Sequence, residues 1–289
     1  MNYRHSFHAG NFADLVKHAL VLWLVKARQA TGPITVFDTH AGAGLYDLSG
    51  DGARSREAEA GVARLMTAEG RAPLMDALAA EVAAVNPQGG ARFYPGSPLL
   101  IADALAEGGR YVGFELNPPV RAMLAEALAG RTNAEAWEGD GYAAVATEAV
   151  RAKAPLVLVD PPFERPDDYV RAAETAAAVA RRDPAATVAV WTPLKDLETF
   201  DGFIRRLNGK AGPTLVAEAR LRPLTNPMKM NGCAMVVVNP PPGTEAAARE
   251  ICDWVVEALG ESGGQAEPRR DPRLLCRLAD LDPNRRTAN

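Results

Sequence analysis

The stretch Leu-Val-Leu-Val-Asp-Pro-Pro-Phe at residues 156–163 decides how the whole sequence is interpreted. Its four leading apolar residues, bounded by prolines, are typical of a strand that is buried on both faces of a parallel sheet. The carboxylate, the two prolines and the aromatic ring then stand at the carboxyl end of that strand. Because ligands of open α/β sheets bind beyond the carboxyl ends of the strands, the stretch predicts a fold class and a binding site together.

The four residues that follow the strand suit a planar base with an exocyclic amino group. The carboxylate of Asp160 can accept one hydrogen of the amine. The backbone carbonyl of Pro161 can accept the other, because proline fixes φ and so holds the carbonyl in place. The ring of Phe163 can stack on the base. This tetrapeptide resembles the Asp/Asn/Ser-Pro-Pro-Tyr/Phe/Trp signature of methyltransferases that modify adenine N6, cytosine N4 or the glutamine amide nitrogen.

Two near-copies of the tetrapeptide, at residues 117–120 and 239–242, show how short this motif is. Neither copy has an aromatic residue in the fourth position. The first is predicted to open a helix, with a proline near the first helical position, and the second to follow a strand. Only the copy at Asp160 combines an acid, an aromatic ring and a buried strand. Taken alone, even this copy is also compatible with an ordinary strand-to-loop turn.

The composition indicates an ordinary globular protein. The chain has 289 residues, of which 47% are hydrophobic and 24% charged, and its net charge is −4. No apolar run approaches the ~18 residues that span a membrane, and residues 1–5 lack the apolar core of a signal peptide. The three cysteines are scattered and are not spaced as zinc ligands. We therefore expect a cytoplasmic monomer without a membrane segment or a metal, and any nucleic-acid binding would need a local basic face.

Strand and helix signals alternate along most of the chain, which predicts a doubly wound, mostly parallel sheet. Seven strands are predicted, near residues 34–37, 111–114, 134–137, 156–159, 187–191, 215–221 and 234–238. No helix separates the last two, so they can pair as an antiparallel hairpin. This arrangement is similar to the Rossmann-like α/β fold of class I S-adenosylmethionine-dependent methyltransferases.

The segment from residue 46 to about residue 95 interrupts this alternation. Two amphipathic helices and no strand are predicted there, so we interpret the segment as a small inserted helical subdomain. Ser97 is predicted to cap the helix that follows, with Pro98 at its first position. The main domain is expected to span residues 1–259. The tail, residues 260–289, is expected to be poorly ordered apart from a short turn near its middle, at about 274–281.

Acidic residues stand at the ends of three successive predicted strands. The carboxylate of Glu115 can accept hydrogen bonds from both hydroxyls of a ribose. Asp140 can accept one from an adenine amine, and Gly141 leaves room for the ring. Each acid alone could be a surface residue, but together with Asp160 they indicate a single site. No phosphate-binding loop accompanies them, so the set favours S-adenosylmethionine, which is cationic at sulfur and carries no phosphate.

The turn after the first predicted strand, residues 38–44, is rich in glycine. Gly42 and Gly44 let the backbone approach a ligand closely, but the pattern is not the G-x-G-x-x-G of nicotinamide-binding proteins. All four histidines of the chain lie at or before this turn: His5, His8, His18 and His40. Their spacing matches no metal-binding helix motif. A metal hydrolase is therefore a weaker alternative, and buried structural histidines are another.

The N-terminal block resembles a known family. Its residues are Tyr3-Arg4-His5-Ser6-Phe7-His8-Ala9-Gly10-Asn11, Ala13-Asp14 and Lys17-His18. They resemble the RlmJ family of 23S ribosomal RNA adenine-N6 methyltransferases. The resemblance continues in the same order through residues 38–44, 94–98, 115–116, 140–141, 160–162 and 238–241, and it covers about residues 1–259. It is more specific than the tetrapeptide, because the N-terminal block is long.

The resemblance implies which residues carry the function. It implies that S-adenosylmethionine is contacted by His18, His40, Ser97, Glu115, Asp140, Gly141 and Asp160, to which the turn adds Gly42. Asp160 is implied as the catalytic acceptor of the amine hydrogen, and Tyr3 as a contact to 23S ribosomal RNA. Arg4 and Lys17 are candidates for the basic face.

The alternatives lie inside and outside the same class of enzyme. Phe163 departs from the tyrosine that is common at its position in the family, which keeps the stacking surface and loses a hydroxyl. A methyltransferase that acts on DNA adenine N6 or on another amino group has the same tetrapeptide, so only the N-terminal block argues against it. A non-catalytic RNA-binding module on a methyltransferase fold is the second alternative.

Overall fold

The structure is a computed structural model that describes residues 8–49, 56–152, 154–222 and 230–260 and the backbone of residues 276–277. The strands are β1 Thr35–Asp38, β2 Leu45–Asp47, β3 Phe93–Pro95, β4 Arg110–Glu115, β5 Ala134–Glu138, β6 Leu156–Val159, β7 Thr187–Leu194, β8 Thr214–Arg220, β9 Gly232–Val238 and β10 Cys276–Arg277. The helices are α1 Phe12–Gln29, α2 Arg64–Thr67, α3 Pro73–Ala84, α4 Ser97–Ala104, α5 Pro118–Ala127, α6 Gly141–Glu148, α7 Asp168–Arg182, α8 Leu197–Leu207 and α9 Thr244–Leu259. Within these described ranges, no helix combines the length and the apolarity that crossing a membrane requires.

One large sheet has the strand order β10-β8-β9-β7-β6-β1-β4-β5. β5, β4, β1, β6 and β7 run parallel, whereas β9 is antiparallel to both of its neighbours, β7 and β8. The predicted hairpin of the last two long strands is therefore confirmed, as is the doubly wound class. The chain leaves β1 toward β4 and β5 and returns to β6 on the other side. The topological switch point, where such sheets bind ligands, thus lies between β1 and β6.

Helices cover both faces of this sheet. Along β6, Leu156 and Leu158 belong to one core, and Val157 and Val159 belong to the other, because side chains alternate across a strand. The first core also contains α1, α4, α5, α9 and the inserted helices, and the second contains α6, α7 and α8. All four residues of β6 are buried, which explains its uninterrupted apolar sequence.

Two short strands, which were not predicted from the sequence, pair with each other at the two ends of the inserted segment. β2 pairs antiparallel with β3, with Tyr46 opposite Tyr94. Three residues are too few to show the alternation by which a half-buried strand is recognised. In the tail, β10 pairs antiparallel with β8 where a short turn was expected. Both differences are local, and the order of the long strands is unaffected.

The first inserted helix contains a π-helical turn, Glu59–Ala63, that leads directly into α2. At its centre Gly61 packs against the backbone just before α1, and the amide of Val62 donates to the Gly10 carbonyl oxygen over 2.8 Å. Such turns are rare and appear mostly as single interruptions of an α-helix. Through this contact the inserted segment packs against the N-terminal end of α1.

Gly61→Ala is expected to lower the free energy of unfolding by about 1–3 kcal/mol, the usual effect of forcing atoms into a packed contact. The added Cβ would lie 2.2 Å from the Gly10 carbonyl oxygen, so one of the two backbones must shift. Gly202→Ala in α8 is the matched control, because its added Cβ meets only the end of the Arg205 side chain, at 3.8 Å. Urea unfolding measures both variants. Equal stability of the two would contradict the close packing at Gly61.

Candidate active site

Four carboxylates stand at the carboxyl edge of the parallel strands. Asp38 ends β1, Glu115 ends β4, Asp140 follows β5 and Asp160 follows β6. These strands are neighbours in the sheet, so their carboxyl ends lie side by side. The negative charge of Asp160 acts to raise the pKa of both Asp38 and His40, as a neighbouring charge does. The structure thus brings the three predicted acids to one edge and adds Asp38.

A buried lysine holds the Asp160 carboxylate. Nζ of Lys17, on α1, lies 2.6 Å from Oδ2 of Asp160 and 2.7 Å from Oδ1 of Asp14, and the lysine side chain is only 4% exposed. Burial is the largest single influence on the pKa of Lys17 and lowers it. The two carboxylates together outweigh burial, and the pKa stands well above its ordinary value. Lys17 is therefore held as a cation between two carboxylates at the end of β6.

This placement of Lys17 differs from the one that the sequence suggested. The residue was a candidate for a basic RNA-binding face, but Asp14 and Asp160 enclose its ammonium. The ring of Trp191 also lies near it, with 5.9 Å between Nζ and the ring centroid. Asp160 is 143 residues away in sequence, so no local pattern distinguishes this buried lysine from an exposed one.

Asp38 is fully buried and accepts three hydrogen bonds. The Ser97 hydroxyl donates to Oδ2 over 2.6 Å and the Tyr111 hydroxyl over 3.2 Å, and the amide of His40 donates to Oδ1 over 3.3 Å. Burial raises the pKa of Asp38 to about 6, and the hydrogen bond from Ser97 opposes that rise only in part. The sequence identified Asp38 only as the start of a glycine-rich turn. The strand-end rule that selected Asp160 would have selected it as well.

The free energy of unfolding of Asp38→Asn, measured relative to that of the unchanged chain, is expected to be higher at pH 8 than at pH 5, by about 1 kcal/mol. The folded-state pKa of about 6 lies above the ~3.9 of an unfolded chain. The folded protein therefore takes up a proton as the pH falls through 6, and the unfolded chain does not. Stability from this group is gained on acidification, and the asparagine variant lacks that gain. Urea unfolding of both proteins at the two pH values measures the difference, and parallel responses would contradict it.

Two residues that were predicted to touch a cofactor have hydrogen-bond partners within the protein. Ser97 is the first residue of α4 and not its N-cap, which is Gly96, and its hydroxyl is engaged by Asp38. His18 is 1% exposed, and its Nδ1 lies 2.7 Å from the Tyr94 hydroxyl oxygen. Both side chains are buried and hydrogen-bonded within the protein. Direct contact of either one with a cofactor stays a prediction.

The turn after β1 closely approaches Glu115. The amide of Gly42 donates to Oε2 over 3.1 Å, and that of Asn117 donates to Oε1 over 2.8 Å. Gly42 has a φ of +65°, and an added Cβ would lie 2.3 Å from the Tyr46 hydroxyl oxygen, so glycine is required there.

Burial lowers the pKa of His40 to about 4. The imidazole of His40, which is part of this turn, is therefore neutral at physiological pH.

Asp140 caps α6 and is bound by an arginine. Its Oδ1 accepts from the amide of Tyr142 over 3.1 Å, and the guanidinium of Arg171, on α7, binds Oδ2. Burial alone would raise the pKa of Asp140, but the hydrogen bond and charge of Arg171, together with backbone amide hydrogen bonds, outweigh it, and the pKa is lowered. A Cβ added to Gly141 would lie 2.1 Å from the Thr39 carbonyl oxygen. Gly141 thus allows α6 to pack against the turn after β1, a reason that the sequence did not supply.

Phe163 belongs to an aromatic cluster and has a left-handed backbone. Its φ is +50°, which is unusual for a bulky residue and costs of order 1–3 kcal/mol. The residue is 8% exposed, and its ring centroid lies 4.5 Å from that of Tyr169 and 5.9 Å from that of Trp191. Pro161 is buried as well. Such strain persists only where the surroundings determine the backbone, so the residues after β6 form a fixed turn.

Some of the predicted contacts cannot be placed. Tyr3 and Arg4, which the sequence assigned to RNA, lie outside the described residues. Within the part of the chain that the structure describes, no group of three or more His, Cys, Asp or Glu side chains is arranged to hold a metal ion. His8 instead lies 3.0 Å from Glu57. Hydrogen bonding to Glu57 raises the pKa of His8 and outweighs the effect of burial.

Known proteins similar to this chain share most of its length. A curated relative from Escherichia coli (strain K12), named ribosomal RNA large subunit methyltransferase J, is 29% identical over 272 residues, which are 91% of this chain and 95% of the relative. A relative of the same name from Haemophilus influenzae is 30% identical over 271 residues, with the same shares covered. A crystal structure of a Legionella pneumophila protein, 22% identical, aligns with a TM-score of 0.79 over 88% of this chain and 94% of that one.

The likeness to the Legionella pneumophila structure supports the fold of this chain. Its family is shown by the similarities in sequence. A family model described as "Ribosomal RNA large subunit methyltransferase D, RlmJ" matches residues 31–269. The match includes the four strand-end acids and the turn after β6, and α1 with Lys17 lies just before it. The resemblance to the RlmJ family, which the sequence motifs indicated, is thereby confirmed. The chain belongs to the RlmJ family of methyltransferases.

Proposed function

We propose that this methyltransferase transfers a methyl group from S-adenosylmethionine to the exocyclic N6 amine of an adenine in 23S ribosomal RNA. The observation that carries the proposal is the Asp160 carboxylate, which Lys17 fixes at the end of β6 and which Pro161 and Phe163 follow. The names of the Escherichia coli and Haemophilus influenzae relatives support an RNA of the large ribosomal subunit as the substrate.

The hydrogen-bonding groups of the carboxyl edge fit S-adenosylmethionine. Each carboxylate oxygen of Glu115 accepts one backbone amide and has a further lone pair, which suits the two hydroxyls of a ribose. Asp140 suits the exocyclic amine of the cofactor's adenine in the same way. The acids favour a cationic ligand, and the neutral His40 adds no opposing charge. When bound, the cofactor supplies a methyl group on a positively charged sulfur.

Asp160 and Pro161 are proposed to hold the target amine. Lys17 occupies Oδ2 of Asp160. No described residue donates a hydrogen bond to Oδ1, which is therefore the acceptor that faces the amine. The Pro161 carbonyl takes the second hydrogen. Hydrogen bonds in these two directions favour a tetrahedral nitrogen and aim its lone pair at the methyl group. Positioning contributes most of the acceleration, and Asp160 takes the amine proton only as the new nitrogen–carbon bond forms.

A target base would stack on an aromatic cluster rather than on a single ring. Phe163 packs against Tyr169 and Trp191, and stacking of a base on aromatic side chains contributes ~1–3 kcal/mol per base. The adenine must be unpaired or flipped out of a helix to reach this position. Trp191 also borders Lys17, so the same ring neighbours both the stacking surface and the buried ion pair.

The proposal extends to the parts of the chain that carry this site. The catalytic domain is proposed to span residues 1–259, with the inserted helices at about 46–95. Tyr3 and Arg4 are proposed as RNA contacts. We also propose that the protein acts as a cytoplasmic monomer and needs no metal ion.

Transfer of radioactive methyl groups to three substrates tests the proposed function. Protein-free 23S ribosomal RNA is expected to be labelled, and the label is expected in N6-methyladenosine after digestion. Preferential labelling of duplex DNA would instead identify a DNA adenine-N6 methyltransferase. Label in cytosine or in protein amides would identify another amino-group acceptor. If no substrate is labelled and calorimetry detects no binding of S-adenosylmethionine, the non-catalytic RNA-binding alternative is favoured.

A further inference from the structure

An arginine from α7 lies against the acid that the proposed function assigns to the cofactor's adenine. The guanidinium of Arg171 binds Oδ2 of Asp140, and its Cζ lies 4.4 Å from the centroid of the Tyr142 ring. The Arg171 side chain is 26% exposed, so the pair is partly removed from solvent. A guanidinium that is both paired with a carboxylate and stacked on a ring is held in one orientation, as a lysine would not be.

The surroundings of Tyr142 hold this platform rigidly. Tyr142 is buried, and its hydroxyl donates to Oδ1 of Asp168 over 3.4 Å. The His40 ring meets it edge to face, with 4.7 Å between the centroids. The ring under Arg171 is therefore fixed on three sides: by its own helix, by α7 and by the turn after β1. The guanidinium that pairs with Asp140 therefore stacks on a ring that is itself packed and hydrogen-bonded.

Helix capping alone does not account for the arginine. As the N-cap of α6, Asp140 needs only the hydrogen bond from the Tyr142 amide to its Oδ1. The N-terminus of a helix carries partial positive charge, so a cation placed there is unfavourable unless another interaction compensates. Arg171 stands at this position and binds the second carboxylate oxygen. Its effect is to fix the direction in which that oxygen presents its remaining lone pair.

We propose that Arg171 is a positioning residue that sets the specificity for the cofactor's adenine. It holds the Asp140 carboxylate so that Oδ2 faces the exocyclic amine of that adenine. The inference rests on the proposed function, because it requires Asp140 to meet that amine. Without Arg171 the carboxylate can rotate and bind water, and the amine then competes with solvent for a mobile acceptor.

Calorimetric binding of two product analogues separates this role from a structural one. S-adenosylhomocysteine carries the adenine amine, and S-inosylhomocysteine carries a carbonyl oxygen in its place. Arg171→Gln is expected to weaken binding of the first about tenfold, through the loss of a charge-assisted arrangement, and to leave binding of the second unchanged. Arg151→Gln removes an exposed ion pair with Glu148 just beyond α6 and is the matched control. It should change neither affinity.

A double-mutant cycle provides the second measurement. If Arg171 acts through Asp140, the variant that combines Arg171→Gln with Asp140→Asn binds S-adenosylhomocysteine as weakly as Asp140→Asn alone. Arg171→Lys keeps the charge without the planar fork and should recover only part of the affinity. Equal losses for both analogues, no loss for either, or additive effects in the cycle would each overturn the proposal. A wild-type protein that binds neither analogue would overturn the proposed function, and this inference with it.

Discussion

Asp160→Ala is expected to lower the rate of methyl transfer about 10³-fold, the scale on which loss of a single transition-state hydrogen-bonding group acts. The variant loses Oδ1, the acceptor proposed for the amine. The fold should survive, because Lys17 keeps its ion pair with Asp14 at 2.7 Å. Binding of S-adenosylmethionine should stay measurable, since Glu115 and Asp140 are unchanged. Single-turnover kinetics with RNA and calorimetry with the cofactor provide the two measurements.

The controls for this substitution lie in the same loop. Asp167→Ala removes an acid that forms an exposed ion pair with Arg165, with 3.3 Å between them, and should leave the rate near that of the unchanged protein. Asp160→Asn keeps the shape of the side chain and an oxygen acceptor but removes the charge, so an intermediate rate is expected. Near-normal transfer by Asp160→Ala would contradict the mechanism. A loss of cofactor binding equal to the loss of rate would assign Asp160 to the cofactor alone.

Lys17→Met is expected to lower the free energy of unfolding by about 3–5 kcal/mol, the usual effect of removing one partner from a buried ion pair. The substitution keeps the length of the side chain but leaves Asp14 and Asp160, 7% and 11% exposed, without their shared cation. One of these carboxylates must then take up a proton or draw in water. Methyl transfer should fall as well, because Asp160 loses the contact that orients it. Urea unfolding and single-turnover kinetics report the two effects.

A matched pair of variants tests whether the charge of Lys17 is responsible. Lys26→Met alters an exposed lysine on the same helix, and it should change stability by less than ~0.5 kcal/mol. Adding Asp14→Asn to Lys17→Met removes one of the two carboxylate charges that Lys17 balanced, so it should restore part of the lost stability. If the double variant is less stable than Lys17→Met alone, the loss comes from packing and not from charge.

Most of the fold could be predicted because most strands of the large sheet, β5 excepted, are buried on both faces. β6 and β9 are continuous apolar runs, and their sequence identifies them without knowledge of the rest of the chain. β2 and β3 were missed because three residues carry no periodic signal. The π-helical turn at Glu59–Ala63 was missed for another reason. The contact made there, between Gly61 and Gly10, joins residues that are far apart in the sequence.

The residues of the candidate site that could be predicted are those for which an acidic residue at the end of a strand is sufficient evidence. Glu115, Asp140 and Asp160 were identified in this way, and the structure places all three at one edge. The side chains that fix them were not predictable, because each comes from another element. Lys17 lies on an amphipathic helix and Arg171 on the helix that follows the turn after β6, where an ordinary surface charge has the same pattern. Tertiary packing alone determines which basic side chain binds which strand-end acid, so the local sequence does not reveal the pairing.

The ion pair between Lys17 and Asp160 also has a consequence for synthesis on the ribosome. The two residues are 143 positions apart, so at ~5–20 residues per second the lysine is made roughly 7–30 s before its partner. Until then the nascent helix α1 has only Asp14 to balance a lysine that the finished protein encloses. We expect α1 to complete its docking only after β6 has been made. A chain released before residue 160 would therefore lack both the carboxylate that is proposed to be catalytic and the anion that anchors its first helix.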